Sequence, residues 1–342
     1  MSEPARLFSV VIPSRGEPAK LDQLLDALAL QTLPPSRFEI ILALDGEALA
    51  PPLLARLEAL GGTLVRLERR LGPGAARNAG TARAHAEFLA FTEDDVTPAP
   101  TWLERAALRL ESAPPIDVLV GHTSKPSQRS VEVPASDLPL YLPTNLFVRR
   151  TLFERVGGYS EEFFAAGTLY FREDSDFGFT LEEAGARIAR EPGVLVTHPV
   201  EHVRWLDPLR WARRYELDAL LAARHPQRFR ERIEVQRLGP LRVRRPVVRA
   251  CVACVVATLA ALVAWLAGAE RVALTFAVIA ALAFLPVWAK WRFNPLRLPV
   301  VLLVPFVMVY ALLRGQLRIR RRAGASTRSR PETPVPRSAP GS

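Results

Sequence analysis

Only two cysteines, Cys251 and Cys254, occur in the 342 residues, and both fall inside one apolar run. They exclude a disulfide framework and a cysteine-rich zinc cluster, and small side chains packing between helices account for their C-x-x-C spacing. Histidine is scarce too, at five, and of these His198 is the best candidate for a metal ligand. Met1 to Arg6 leads directly into an apolar run and lacks the long apolar core of an export signal. That absence predicts that the first part of the chain stays in the cytoplasm. No internal repeat is visible, and no uncharged stretch of membrane length occurs before residue 247. The first two hundred residues therefore read as a water-soluble domain.

Within that region, short β-favouring runs alternate with helix-spaced leucines. Phe8 to Ile12 stops at Pro13-Ser14-Arg15-Gly16 and is followed by leucines at helical spacing from Leu21 to Leu30. Phe38 to Leu44 stops at Asp45-Gly46, ahead of Leu53 to Leu60. Thr63 to Leu67 leads to the glycine-rich Gly72 to Gly80, which carries Arg77 and Asn78. Alternating strands and helices predict an α/β fold with a mostly parallel sheet covered on both faces. A glycine-rich turn opening a helix, with an arginine on it, suits a phosphate group; a plain loop and helix start is the alternative.

A fourth run, Phe88 to Phe91, is followed by Glu93, Asp94 and Asp95. Carboxylates at the carboxyl end of a strand, where open α/β sheets bind ligands, suit a divalent cation shared with phosphate oxygens. The bland reading is a solvated acidic turn before Pro98. A second cluster, Glu173-Asp174-Ser175-Asp176, opens another apolar stretch and also reads as a helix N-terminus favoured by the dipole. His198 follows the apolar Val194 to Thr197 and so ends a further strand.

Taken in order, these segments resemble the family 2 glycosyltransferases with the GT-A fold. The resemblance rests on Val10-Val-Ile-Pro-Ser14, Ile40 to Gly46, Gly74 to Asn78, Glu93-Asp94-Asp95, Asn145 to Val148, Val156 to Tyr159 and Arg172 to Asp176. It implies a nucleotide-sugar donor and a divalent metal, Mn²⁺ or Mg²⁺. Ser14 and Asp45 would lie near the nucleotide base, Arg77 near the diphosphate and Asp94 near the ribose. Asp95 would be the direct metal ligand of the DxD element, with Glu93 in its first position where most members carry Asp, and His198 would approach the same ion. Asp174 would be the base that deprotonates the acceptor, giving inversion at the anomeric carbon. The resemblance departs at Leu44-Asp45-Gly46-Glu47, where many members carry two adjacent aspartates. A related-fold nucleotidyltransferase and a non-catalytic membrane scaffold are the rival readings.

Past Tyr215 the character changes. From Arg204 to Arg249 there are 13 arginines against five acids, then the charges vanish. A basic block can mean nucleic acid, but the apolar runs that follow it point to anionic membrane lipids. Val247 to Gly268 contains one charge and Val272 to Ala289 none, so both are long enough to span a bilayer. Leu298 to Leu313 is shorter and contains Pro299 and Pro305. Arginine and lysine flank all three runs, and the positive-inside rule then favours two crossings with a re-entrant or interfacial third segment. Arg210-Trp211, on an amphipathic stretch, fits a helix lying on the membrane surface. The expected organisation is a catalytic domain over 1–215, a basic juxtamembrane linker with interfacial helices over 216–246, a transmembrane region over 247–313 and a basic disordered tail over 314–342. A multi-pass protein of the cell membrane, with its catalytic domain cytoplasmic and a lipid-linked or glycan acceptor, follows from that arrangement.

Overall fold

The computed structural model describes residues 6–46, 48–124, 141–165, 169–199, 204–238 and 241–328. By internal contacts the chain divides into two units, Met1–Arg204 and Trp205–Ser342. The boundary thus lies before Tyr215, ahead of the amphipathic Asp207–Arg214 helix.

The first unit contains β1 (Phe8–Ser14), α1 (Pro18–Ala29), β2 (Phe38–Leu44), α2 (Pro51–Ala59), β3 (Thr63–Arg66), α3 (Pro73–Thr81), β4 (Phe88–Phe91), β5 (Thr97–Pro98), α4 (Trp102–Glu111), β6 (Val118–Ser124), β7 (Leu146–Arg149), α5 (Arg150–Val156), β8 (Phe164–Ala165), β9 (Leu169–Tyr170), α6 (Glu173–Glu183) and β10 (Ile188–Thr197). Among the described residues, eight strands form one sheet in the order β3-β2-β1-β4-β7-β6-β10-β5, and β8 pairs with β9 separately. Strands β3, β2, β1 and β4 are parallel, as are β6 and β10, while β7 is antiparallel to both neighbours and β5 is antiparallel to β10. Because β7 reverses direction between β4 and β6, β10 runs the same way as β1 to β4. The carboxyl ends of all five strands therefore share one edge of the sheet.

The two-residue side-chain period of a strand divides the core. Phe8, Val10 and Ile12 of β1, with Phe88 and Ala90 of β4, pack with leucines of α1 and α2 and with Trp102 and Leu103 of α4. Val11, Leu89 and Phe91 point the other way, toward Leu152 and Phe153 of α5 and Phe177 and Leu181 of α6. Both faces are covered, as the near-continuous apolar strands predict.

Asn145, just before the reversed strand, ties it to β6 and β10. Its amide donates to the carbonyls of His122 and Val194, each at 2.9 Å, and its Oδ1 accepts from the Trp102 indole at 2.9 Å. The Val194 carbonyl lies where β10 shifts register against β6, between Glu191 and Leu195, at Pro192-Gly193. An Asn145→Ala variant leaves buried polar groups unpaired and is expected to lose roughly 3 kcal/mol or more of stability, read as a lowered denaturation midpoint.

The second unit contains α7 (Asp207–Arg214), α8 (Asp218–Arg224), a short α9 (Pro226–Arg228), the antiparallel hairpin β11 (Val235–Leu238) with β12 (Leu241–Arg244), α10 (Pro246–Leu266), α11 (Glu270–Lys290), α12 (Leu298–Val301) and α13 (Val304–Arg328). The basic segment over 216–246 thus includes a hairpin as well as the expected helices. Three stretches are long and apolar enough to cross a membrane, Pro246–Leu266, Glu270–Lys290 and Pro295–Arg321. Large apolar side chains on α10 and α11, including Val256, Leu259, Leu266 and Leu282, are more than half exposed. Such surface suits lipid, and these helices fit a transmembrane region.

The tail expected to be disordered from residue 314 is helical as far as Arg328. Hydropathy falls at Arg314, but arginine, leucine and glutamine are all good helix formers, so the helix outlasts its apolar stretch. Residues 329–342 of that expected tail lie outside the described residues.

Candidate active site

A cleft of about 310 Å³ opens at the shared carboxyl edge of the sheet. Ser14, Asp45, Arg77, Glu93, Asp94, Asp95, His198 and Glu173 all line it. The positions read from the sequence as donor and metal residues are therefore brought together, although they come from five separate segments.

Ser14 and Asp94 are each other's partners. The Ser14 hydroxyl donates to Asp94 Oδ2 at 2.6 Å and accepts from the Gly16 N–H at 2.9 Å. Burial raises the Asp94 carboxyl above its ordinary range, and the Ser14 hydrogen bond opposes this.

Asp45 is buried and has both oxygens engaged. The N–H groups of Leu71 and Gly72 donate to Oδ1 and Oδ2, each at 2.7 Å. Gly72 sits at φ +92°, and a Cβ there would lie 2.4 Å from the Phe164 ring. Asp45 thus fastens the glycine-rich loop in a conformation that only glycine adopts easily. Asp45→Ala is expected to cost about 3 kcal/mol, from two buried donors left unpaired, and Asp45→Asn about half of that; chemical denaturation compares them.

Arg77, on α3, is 1 % exposed. Its Nη2 donates to Glu93 Oε1 at 3.1 Å, and the guanidinium carbon lies 5.2 Å from the centre of the Tyr159 ring. Among the described residues, Nε and Nη1 have no partner. A buried cation with two unused donors carries a desolvation cost that an anionic ligand would offset.

Glu93 accepts from Arg77 on one oxygen and from the Thr144 hydroxyl on the other, at 3.0 Å. Burial raises its carboxyl, the Arg77 charge opposes the rise, and Asp95 adds to it. Asp95 Oδ1 lies 3.8 Å from His198 Nε2, and Oδ2 lies 3.9 Å from Lys20 Nζ. His198 Nδ1 is 2.8 Å from the Pro199 carbonyl, which can only accept. Nδ1 therefore carries a proton, which leaves Nε2 as the ring nitrogen available to a metal. One ligand atom from each of Glu93, Asp95 and His198 falls within 4.8 Å of the others. Two carboxylates and one imidazole with a fixed tautomer suit a hard or borderline divalent cation such as Mn²⁺ or Mg²⁺.

The second acidic cluster begins α6, behind Arg172 in the left-handed region at φ +73°. This sharp turn places Glu173 and Asp174 in the first turn of the helix. Glu173 lines the cleft, and Asp174 is not among the lining residues. Asp174 Oδ1 accepts from the Ser175 N–H at 2.6 Å and the Ser175 hydroxyl at 3.2 Å. Burial, reinforced by the Asp174 charge and opposed by Arg77, pushes Glu173 up to about 7.

Lys20, Arg70, Phe164 and Tyr170 also line the cleft and were not singled out as site residues in the sequence. Lys20 belongs to α1 and Tyr170 to β9, and neither lies in a motif. Only their convergence in space marks them.

The family profile described as Glycosyl transferase family 2 matches residues 9–176. Residues 9–176 are a family 2 glycosyltransferase domain. The Pre-mycofactocin glycosyltransferase of Mycobacterium tuberculosis is 34% identical over 146 residues, 37% of this chain and 30% of its own length. Glycosyltransferase AglE of Haloferax volcanii is 24% identical over 210 residues, 56% of this chain and 69% of its own. The chain thus spans less than a third of the first of these relatives. Among solved structures, the mannosyltransferase PcManGT from Pyrobaculum calidifontis, in complex with GDP-Man and Mn²⁺, matches with a TM-score of 0.57 at 18% identity, over 91% of this chain and 87% of that one. S. aureus TarS 1–349 in complex with UDP gives 0.52 at 17% identity, over 92% of each chain. The sheet with its flanking helices is the GT-A fold. Glu93, Asp94 and Asp95 follow the end of β4, and Glu173 and Asp174 begin α6.

Proposed function

We propose that this chain transfers a sugar from a nucleoside-diphosphate donor to a membrane-associated acceptor, with inversion at the anomeric carbon and with a divalent metal. The observation that carries this reading is the meeting, in one cleft, of a three-ligand set with the guanidinium-bearing Arg77. Glu93, Asp95 and His198 would hold the metal. When bound, the ion would offset charge on the leaving diphosphate.

The chain's own residues do the rest. Arg77 lines the cleft and would place its guanidinium charge beside phosphate oxygens, and Asp45 fixes the loop from which α3 starts. Ser14 and Asp94 hold each other on the same edge, where a nucleoside would lie. The acceptor proton passes to a carboxylate at the start of α6, which we assign to Asp174. With a single base, attack comes from the face opposite the diphosphate, following the logic of inverting glycoside hydrolysis. The relative with a bound GDP-Man and Mn²⁺, and the one with UDP, support a nucleotide donor without choosing its base.

The apolar helices anchor the enzyme, and the arginine-rich segment ahead of them lies against anionic lipid at the cytoplasmic face, where nucleotide sugars are made. A lipid-linked or glycan acceptor fits that placement. The test is nucleotide release in membranes containing the protein, scanning UDP-, GDP- and dTDP-linked sugars with Mn²⁺ or Mg²⁺. One donor class is expected to turn over and to stop when the metal is chelated. No turnover with any donor would overturn the reading.

A further inference from the structure

We propose that the third apolar segment, α12 with α13, does not cross the bilayer but lies in the surface of one leaflet, bound to the helices that precede the first span. The inference deepens the membrane reading above and rests on it: α10 and α11 are taken to cross.

Chain order fixes the frame. Among the described residues between Trp205 and Arg245 no helix is long and apolar enough to cross, so α7 and α8 lie on the side from which α10 enters. After two crossings, Pro295 is back on that side. If α13 crossed, its far end would be on the opposite side from α7 and α8.

The structure puts that far end beside them. Ala212 of α7 shares a core with Val301, Val304 and Met308. Further along, Arg314 Nε lies 3.3 Å from Glu216 Oε1, and the Glu216 side chain is 5 % exposed. At the next residue, a Cβ on Gly315 would come 2.3 Å from the Glu216 carbonyl oxygen and 3.2 Å from Ala219 Cβ. Contacts thus advance from 212 to 219 as α13 advances from 304 to 315, and the two segments run side by side. Val304 to Gly315 covers about 16 Å of helix. To carry α13 across, the α7–α8 segment would have to cross with it, bearing the exposed Arg210, Arg213 and Arg214. Each arginine at mid-bilayer costs about 3 kcal/mol or more.

The spanning helices agree. The core that contains Val304 and Met308 takes from α10 only Val247, Val248, Ala250 and Cys251, and from α11 only Phe284, Val287 and Trp288. These are the first turns of one helix and the last turns of the other, at a single level of the membrane. Away from that core, α13 turns Phe306, Tyr310, Leu313 and Leu317 outward, each 42 % exposed or more, at the four-three-four spacing of one helical face. Arg318, Arg320 and Arg321 follow. An apolar stripe ending in arginines fits acyl chains beneath anionic headgroups.

Single introduced cysteines test this in the full chain, using a membrane-impermeant thiol reagent on sealed vesicles. The buried Cys251 and Cys254 give the baseline. Ala223→Cys and Ser342→Cys are expected to label from one side and Ala267→Cys from the other. Labelling of Ser342→Cys together with Ala267→Cys would overturn the inference and leave the anchor intact. Labelling of all three from one side would overturn both. Spin labels at Phe306→Cys, Tyr310→Cys, Leu313→Cys and Leu317→Cys provide a second measurement in reconstituted vesicles. One common depth is expected, whereas a crossing helix would spread them over about 16 Å.

Discussion

Asp95→Ala is expected to lower donor turnover by about a thousandfold, with little loss of stability. Asp95 is where the ligand set, Lys20 and the acidic triplet meet, since its oxygens face His198 and Lys20. A metal supplies several kcal/mol of stabilisation to a developing phosphate charge, and about 4 kcal/mol corresponds to roughly a thousandfold in rate. The stability prediction separates this from unfolding. In the free protein the Asp95 charge helps hold Glu93 and Asp94 above their ordinary ranges, so its removal relieves repulsion. The variant should therefore unfold at the wild-type temperature or slightly higher without metal, and should lose the stabilisation that Mn²⁺ gives the wild type. Manganese binding followed by electron spin resonance reads the same loss without any turnover. Wild-type activity, or an unchanged affinity for Mn²⁺, would remove Asp95 from the ligand set.

Much of the site was legible because its residues sit where strands stop. Ser14, Asp45, Glu93 and His198 each follow an apolar run, and parallel strands bring such ends to one edge. The reversed β7 was not legible: Leu146 to Val148 is apolar in either direction, and only its partners give its sense. Nor was the length of β10, whose first six residues include Arg190, Glu191, Pro192 and Gly193. Hydropathy isolates Val194 to Thr197, while the backbone passes the bulge and continues. The composition of α13 misled in a similar way, because arginine ends an apolar run without ending a helix. The tasks of Asp45 and Arg77 also needed coordinates, since a motif does not tell which donors are already paired. The cleft residues Lys20 and Arg70 belong to no motif at all.

Asp174→Asn and Glu173→Gln together are expected to identify both the base and the acceptor class. A base that removes a proton from a sugar hydroxyl is worth 10²- to 10⁴-fold, so Asp174→Asn should lose about that much if the acceptor is a hydroxyl. A phosphate acceptor is already ionised, and the same variant would then keep nearly full rate. Glu173 needs its own control, because it lines the cleft and titrates near 7. In the unfolded chain it ionises near 4.5, so the folded state holds its proton longer. The folded state therefore loses stability as pH rises from about 4.5 to about 7, by about 3 kcal/mol in all, and the loss is constant above that. Glu173→Gln should remove this dependence, matching the wild type at pH 4 and exceeding it at pH 8. It should retain most of the activity, with a flatter pH profile. Asp174→Asn removes the charge that helps hold Glu173 up, so its remaining activity should titrate at lower pH than that of the wild type. If Glu173→Gln is the variant that loses activity by orders of magnitude while Asp174→Asn retains it, the base is Glu173, and Asp174 serves to set its proton affinity.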